Sequence, residues 1–130
     1  DDLGLSGRVR LLGKLPAAEV ARRLREADVF VHTSSSEGIS NAVLEAMATG
    51  LAVVTTDAGG MREAVRDGVD GLVVPVRGVD TTADALVQVA ADPDLRARLG
   101  ASARRRVASD FRLDQQVAAF AALRHGAAGR

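Results

Sequence analysis

Short apolar runs alternate with helical patterns along most of this chain, and few architectures accommodate that alternation. Val9 to Leu12 reads as a strand closed by Gly13. Pro16 to Ala27 reads as a helix, because Pro suits a first turn and Val20, Leu24 and Ala27 share one face. Val29 to His32 is a second short strand, and Thr33 to Ser36 a polar loop. Ser40 to Thr49 is a helix closed by Gly50, and Ala52 to Thr56 a third strand. A turn at Ala58-Gly59-Gly60 leads to a short helix from Met61 to Arg66, then a turn at Asp67-Gly68. Gly71 to Val74 is a fourth strand, stopped by Pro75. From there the pattern is helical: Asp80 to Ala91, Asp92 or Pro93 to Ser109, and Leu113 to Arg124. Such alternation implies parallel crossovers, so the expected fold class is α/β: an open parallel sheet with helices on both faces. Residues 1–125 are expected to form one domain, and the tail over 126–130 to fray. Ligands of such sheets bind outside the carboxyl ends of the strands, near a topological switch point. That singles out Gly13 to Pro16, Thr33 to Asn41 and Asp57 to Gly60.

Composition removes several functional classes. The chain has 130 residues, room for one domain, and its apolar fraction of 47% is enough for a core. Formal net charge is zero, which argues against a nucleic-acid partner held by phosphate neutralisation. With three Phe and neither Trp nor Tyr, a base-stacking platform is not available. Cysteine is absent, so there is no disulfide framework, thiolate metal site or cysteine nucleophile. No apolar run approaches the roughly 20 residues that span a bilayer. The opening Asp1-Asp2-Leu3-Gly4 lacks the layout of a signal peptide.

The richest stretch is Glu37-Gly38-Ile39-Ser40-Asn41-Ala42-Val43-Leu44-Glu45, with seven residues between its two glutamates. Glu37 falls in a loop after a strand and Glu45 inside the following helix. Gly38 allows close approach of backbone to a ligand. Ser40 or Asn41 can cap the helix, whose first amides point unbonded N–H groups at the same place. A helix start preceded by glycine suits a diphosphate, and carboxylates suit vicinal sugar hydroxyls. A nucleotide-sugar needs both. Spacing alone leaves a second account open, in which Glu37 favours the helix dipole and Glu45 is an ordinary surface residue.

Four blocks in order extend the pattern. They are Val9-Arg10-Leu11-Leu12-Gly13; Ala27-Asp28-Val29-Phe30-Val31; Glu37 through Val53-Val54-Thr55; and Gly59-Gly60-Met61-Arg62-Glu63 with Asp67-Gly68 and Gly71-Leu72-Val73-Val74-Pro75. Asp92-Pro93 and Arg104-Arg105-Arg106-Val107 continue them. From Arg8 to about Leu123 the chain resembles the C-terminal half of the family 4 glycosyltransferases, also called glycosyl transferases group 1. The resemblance implies a Rossmann-like domain of the two-domain GT-B type and a retaining transfer of a hexose from a UDP-, GDP- or ADP-sugar to an acceptor hydroxyl. It implies that Glu37, the residue at the catalytic position, contacts hydroxyls of the transferred sugar, without making it a nucleophile. Gly38, Ile39, Ser40 and Asn41 would meet the sugar and diphosphate. Glu45 would hold the ribose, and Lys14 and Leu15 would border the base. It implies no cofactor and no catalytic metal.

Full-length relatives carry an upstream acceptor-binding domain and an earlier strand with an Arg/Lys pair that clamps the diphosphate. Neither is found in this sequence, so the chain is expected to be a fragment, inactive alone and prone to self-association. The full-length protein is expected in the cytoplasm, with peripheral membrane contact. Arg96, Arg98, Arg104, Arg105 and Arg106 could face anionic lipid; a solvated helix face balanced by acids is the default. His32 could touch donor hydroxyls or be a satisfied strand-end side chain. Ser34, Ser35 and Ser36 lack a G-x-S-x-G setting. Glu63 suits a first helical turn without a ligand. Two alternatives stand beside the transferase: a nucleotide-sugar epimerase of the same fold, and a non-enzymatic assembly module.

Overall fold

The segment Ala52–Thr56 is buried at every position, as the middle strand of a sheet covered on both faces must be. It is β2 in a computed structural model that describes residues 4–5, 7–34 and 41–110. In chain order the elements are α1 (Ala17–Glu26), β1 (Val29–His32), α2 (Asn41–Thr49), β2, a 3₁₀ turn (Met61–Glu63), β3 (Leu72–Val74), α3 (Val79–Ala91) and α4 (Pro93–Asp110). The described sheet has three strands in the order β1-β2-β3, all parallel. Val29 pairs with Ala52 and His32 with Thr55; Val54 pairs with Leu72 and Thr56 with Val74.

Strand alternation divides the core. Val53 and Val73 face a cluster containing Val43, Ala46 and Met47 of α2 and Ala103 and Val107 of α4. Val54 and Val74 face the opposite cluster, with Ala85 and Val89 of α3 and Leu99 of α4. The β2 run is apolar throughout because both of its faces are covered. On α1 the outward face carries ion pairs of Arg22 with Glu19 and Glu26.

Several expected boundaries hold within a residue or two, and two elements do not. Val9 to Leu12 forms no strand. A strand exists by pairing, and these residues join no ladder with β1. The chain here turns on itself through bonds from the Arg8 and Val9 amides to the Leu5 carbonyl, at 2.8 and 3.1 Å. Leu11 is 96% exposed. The expected four strands are therefore three among the described residues, and their order shows no reversal that would make a switch point. The short helix expected from Met61 to Arg66 is a 3₁₀ turn ending at Glu63. Gly71 makes only an isolated bridge to Asp67 before β3 begins. The helix expected from Leu113 to Arg124 lies outside the described residues.

Two glycines set how α4 meets α2. Gly50 ends α2 with φ of +84°, a left-handed closure suited to glycine. Gly100 of α4 lies against it so closely that an added Cβ would sit 2.0 Å from the Gly50 carbonyl oxygen. That neighbour is backbone and cannot rotate away. Gly100→Ala is expected to force the helices apart at a cost of about 1–3 kcal/mol, the range for overpacked cores. Denaturant titration would read the change as a lower midpoint.

A buried carboxylate ties the turn before β3 to the same helix. Asp70 is fully buried. It accepts hydrogen bonds from Nε and a terminal guanidinium nitrogen of Arg66 at 2.7 and 2.9 Å, and from the Arg66 amide at 3.1 Å. Ser102 of α4 donates to it at 2.7 Å. Burial pushes this carboxyl up, but the bonds from the Arg66 guanidinium, Ser102 and the Arg66 amide outweigh it and hold it below the ordinary aspartate value.

Candidate functional site at the carboxyl edge of the sheet

Parallel pairing sends the ends of β1, β2 and β3 to one edge. Because β1–α2–β2 is a parallel crossover, α2 must begin at that edge and run back. Its first residue, Asn41, is exposed there. The first turn of α2 carries no acidic residue, so its amides and dipole are not neutralised from within the helix. Glu45 follows one turn later, about 6 Å along the axis. It is half-buried, while Val43, Ala46 and Met47 hold the core face. Thr49 donates to the Glu45 carbonyl at 2.8 Å.

The strand ends are bound together. The Thr56 hydroxyl donates to the Ser34 carbonyl at 2.5 Å. The Asp57 amide donates to the Val74 carbonyl at 2.9 Å. Arg62 Nε donates to Asp57 Oδ2 at 2.8 Å across the turn that Gly60 makes with φ of +84°. That partner raises the guanidinium of Arg62, which keeps its charge in any case. His32 is half-buried at the end of β1 and stacks on Phe30, ring centroids 6.5 Å apart.

Topology thus brings Asn41 to one edge with Ser34 and Asp57, and sets Glu45 one turn inside α2. Lys14 is exposed and Leu15 half-buried, just before α1. Two residues, Ala27 and Asp28, separate α1 from β1. Glu37, Gly38, Ile39 and Ser40 lie outside the described residues. Among the described residues no group of three or more His, Asp or Glu could hold a metal ion. No described helix is long and apolar enough to cross a membrane.

The arginines of α4 divide. Arg96 donates to the carbonyls of Val89 and Ala90 at 2.8 and 2.7 Å, closing the end of α3. Arg98 donates to the Gly68 carbonyl at 3.1 Å and Arg106 to the Glu63 carbonyl at 2.6 Å. These three reach carbonyls within the domain, and Arg106 also pairs with Asp110 of the same helix at 3.1 Å. Arg104 and Arg105 are exposed beside a shallow depression with Gly50 and Gly100, at the amino end of β2. That places them away from the edge where α2 begins.

Comparison with known proteins settles what kind of domain this is. A family model described as glycosyl transferases group 1 matches residues 1–106. The chain belongs to this family. It is 42% identical over 101 residues to a D-inositol 3-phosphate glycosyltransferase of Kribbella flavida, covering 78% of this chain and 24% of that protein. It thus spans about a quarter of the length of such relatives. Among solved structures it resembles the C-terminal domain of a glycosyl transferase group 1 family protein, LpcC, from Francisella tularensis. There the TM-score is 0.69 at 27% identity, over 79% of this chain and 52% of that one. It also resembles Anabaena Alr3699/HepE in complex with UDP-glucose, with a TM-score of 0.77 at 28% identity over 93% of this chain and 34% of that one. The α/β, Rossmann-like architecture of this glycosyltransferase domain is thereby shown, three parallel strands and all.

Two residues that matter at this edge and behind it were not evident from sequence. Thr56 reads only as a strand residue, since its shape matches Val. Asp70 reads as part of a turn. A pairing of Asp with an Arg four residues earlier is the one signal that could have marked it.

Proposed function

We propose that this chain is the donor-binding part of a retaining glycosyltransferase that moves a hexose from a nucleoside-diphosphate sugar to an acceptor hydroxyl. The observation that carries the proposal is the start of α2 at the carboxyl edge, with no acid in its first turn and Glu45 one turn inside. Anionic ligands favour such a helix start through its amides and dipole. Glu45 is then in reach of ribose hydroxyls, and Glu37, eight residues earlier, is assigned to the transferred sugar. Gly38, Ile39, Ser40 and Asn41 supply amides for the sugar and diphosphate, and Lys14 and Leu15 border the base. The Anabaena protein of similar fold was solved with UDP-glucose, which supports a nucleotide-sugar as donor. Residues 1–125 are taken as the donor-binding unit.

Transfer requires donor and acceptor in reacting geometry. Since the chain spans about a quarter of such relatives, the 130 residues alone are expected to bind donor but not to transfer sugar. The test is a screen of UDP-, GDP- and ADP-sugars against the complete protein, run beside this chain and its Glu37→Ala variant. Transfer by the complete protein with one donor class supports the proposal. Turnover by the chain alone, above the Glu37→Ala background, would refute its inactivity. Lack of binding to any nucleotide-sugar would refute the function.

A further inference from the structure

The chain leaves β3 through a tight turn, Pro75-Val76-Arg77-Gly78, closed by the Gly78 amide donating to the Pro75 carbonyl at 3.0 Å. Its third residue, Arg77, has φ of +64° and is the one non-glycine among the described residues with a positive φ. That place in a turn suits glycine or asparagine, because a Cβ there crowds the backbone. Glycine stands one residue later instead. Gly78 has an ordinary φ of −82°, and space accounts for it: an added Cβ would sit 3.1 Å from the Pro75 carbonyl oxygen. The turn thus carries a long cationic side chain on its strained residue. That side chain does nothing for the domain. Arg77 is exposed, and its guanidinium makes no hydrogen bond or ion pair with any described residue. Arg62, by contrast, is anchored on Asp57, and Arg96, Arg98 and Arg106 reach main-chain carbonyls. Non-glycine residues held at positive φ gather where ligands are clamped.

We propose that Arg77 binds an oxyanion, phosphate or carboxylate, carried by the acceptor. This rests on the function proposed above. Arg77 stands three residues past the end of β3, at the carboxyl edge, where the bond from the Asp57 amide to the Val74 carbonyl joins the exits of β2 and β3. The start of α2, assigned to the donor, follows β1. With β2 between them, the ends of β1 and β3 lie about 10 Å apart. The helix that Arg77 leads into, α3, packs on the face of the sheet opposite α2. Arg77 is therefore at the donor's edge but beside the donor's place. The molecule that must come to the donor at this edge is the acceptor. A guanidinium offers paired N–H donors in a fixed fork, which matches two oxygens of a phosphate or carboxylate. An acceptor held in that way is fixed in orientation as well as in place.

The test uses the complete protein with Arg77→Gly and Arg77→Lys. Gly removes the cation and relaxes the turn; Lys keeps the charge and loses the fork. The donor site is first filled with UDP, or with the nucleoside diphosphate that the screen selects, and inorganic phosphate is then titrated as the probe. Arg77→Gly is expected to weaken phosphate roughly ten- to a hundredfold and to raise the acceptor's KM by a like factor, with UDP affinity within about twofold of the parent. Arg77→Lys should fall between the two. Arg77→Gly should melt no lower than the parent, because glycine is the relaxed choice at positive φ; an arginine kept for structure would lower the melting temperature when removed. Phosphate binding that Arg77→Gly leaves unchanged, or none in the parent, overturns the proposal. So does a preferred acceptor without an oxyanion. So does a KM rise equally large for the acceptor's neutral analogue, which would assign Arg77 to a carboxylate elsewhere in the protein. If the parent binds no nucleoside diphosphate, the underlying function fails, whereas the phosphate result on Arg77→Gly bears on Arg77 alone.

Discussion

Asp70→Ala is expected to lower folding stability by about 2–4 kcal/mol, the loss of hydrogen bonds to a charged group. Four bonds converge on this fully buried carboxylate, and they join the turn before β3 to α4. Removing it leaves the Ser102 hydroxyl and the Arg66 amide without their acceptor. The guanidinium of Arg66 is half exposed and can turn to water, so the ion pair as such contributes little. Ser102→Ala, which removes one neutral donor, is expected to cost only about 1 kcal/mol.

The same carboxylate makes stability depend on pH. Its folded value lies below the ordinary one, and an unfolded aspartate titrates near ~3.9. The unfolded state therefore takes up the proton first as pH falls. The stabilisation is complete above about pH 5 and is lost progressively below about pH 4, through the folded value. Denaturant midpoints measured from pH 7 down to pH 3 should show a steeper fall for the parent than for Asp70→Asn. Parallel curves would show that Asp70 is not the group whose protonation matters.

The sheet was legible where local pattern and tertiary demand agree. Ala52-Val53-Val54-Thr55-Thr56 is apolar or small at every position and is buried on both faces, so a run with no alternation marks a central strand. The helix from Asn41 was marked by Gly50, whose left-handed conformation closes it. The strand expected at Val9 to Leu12 shows the limit. Its residues are as apolar as those of β1, but β propensity reflects packing and pairing rather than an intrinsic backbone preference. No described strand pairs with it. The carboxyl edge was legible in outline for a topological reason: alternating strands and helices return every helix start to one side. Asn41 is where that logic puts it, and Glu45 lies one turn inside α2. Thr56 and Asp70 were not legible, because their partners Ser34 and Ser102 are 22 and 32 residues away and no short spacing records such a contact.

Glu45→Ala and Glu37→Ala are expected to separate nucleotide binding from turnover. In the complete protein, Glu45→Ala should weaken a nucleoside diphosphate and the intact donor by similar factors. A hydrogen bond from a hydroxyl to a charged group is worth on the order of 1.5–3 kcal/mol, so the loss is roughly ten- to a hundredfold in affinity. Glu45 is half-buried on α2, while Val43, Ala46 and Met47 hold the core face, and alanine is the best helix former. Glu37→Ala should leave the bare nucleotide bound as before and lower kcat with the donor, since a contact to the reacting sugar can strengthen as the glycosidic bond breaks. If the glutamates only serve the helix, both variants shift melting slightly and neither changes nucleotide affinity. Calorimetry with nucleoside diphosphate on the two variants decides between these outcomes. Unaltered binding by Glu45→Ala would remove the ribose contact from the proposed site, and with it the main reason to place the donor at the start of α2.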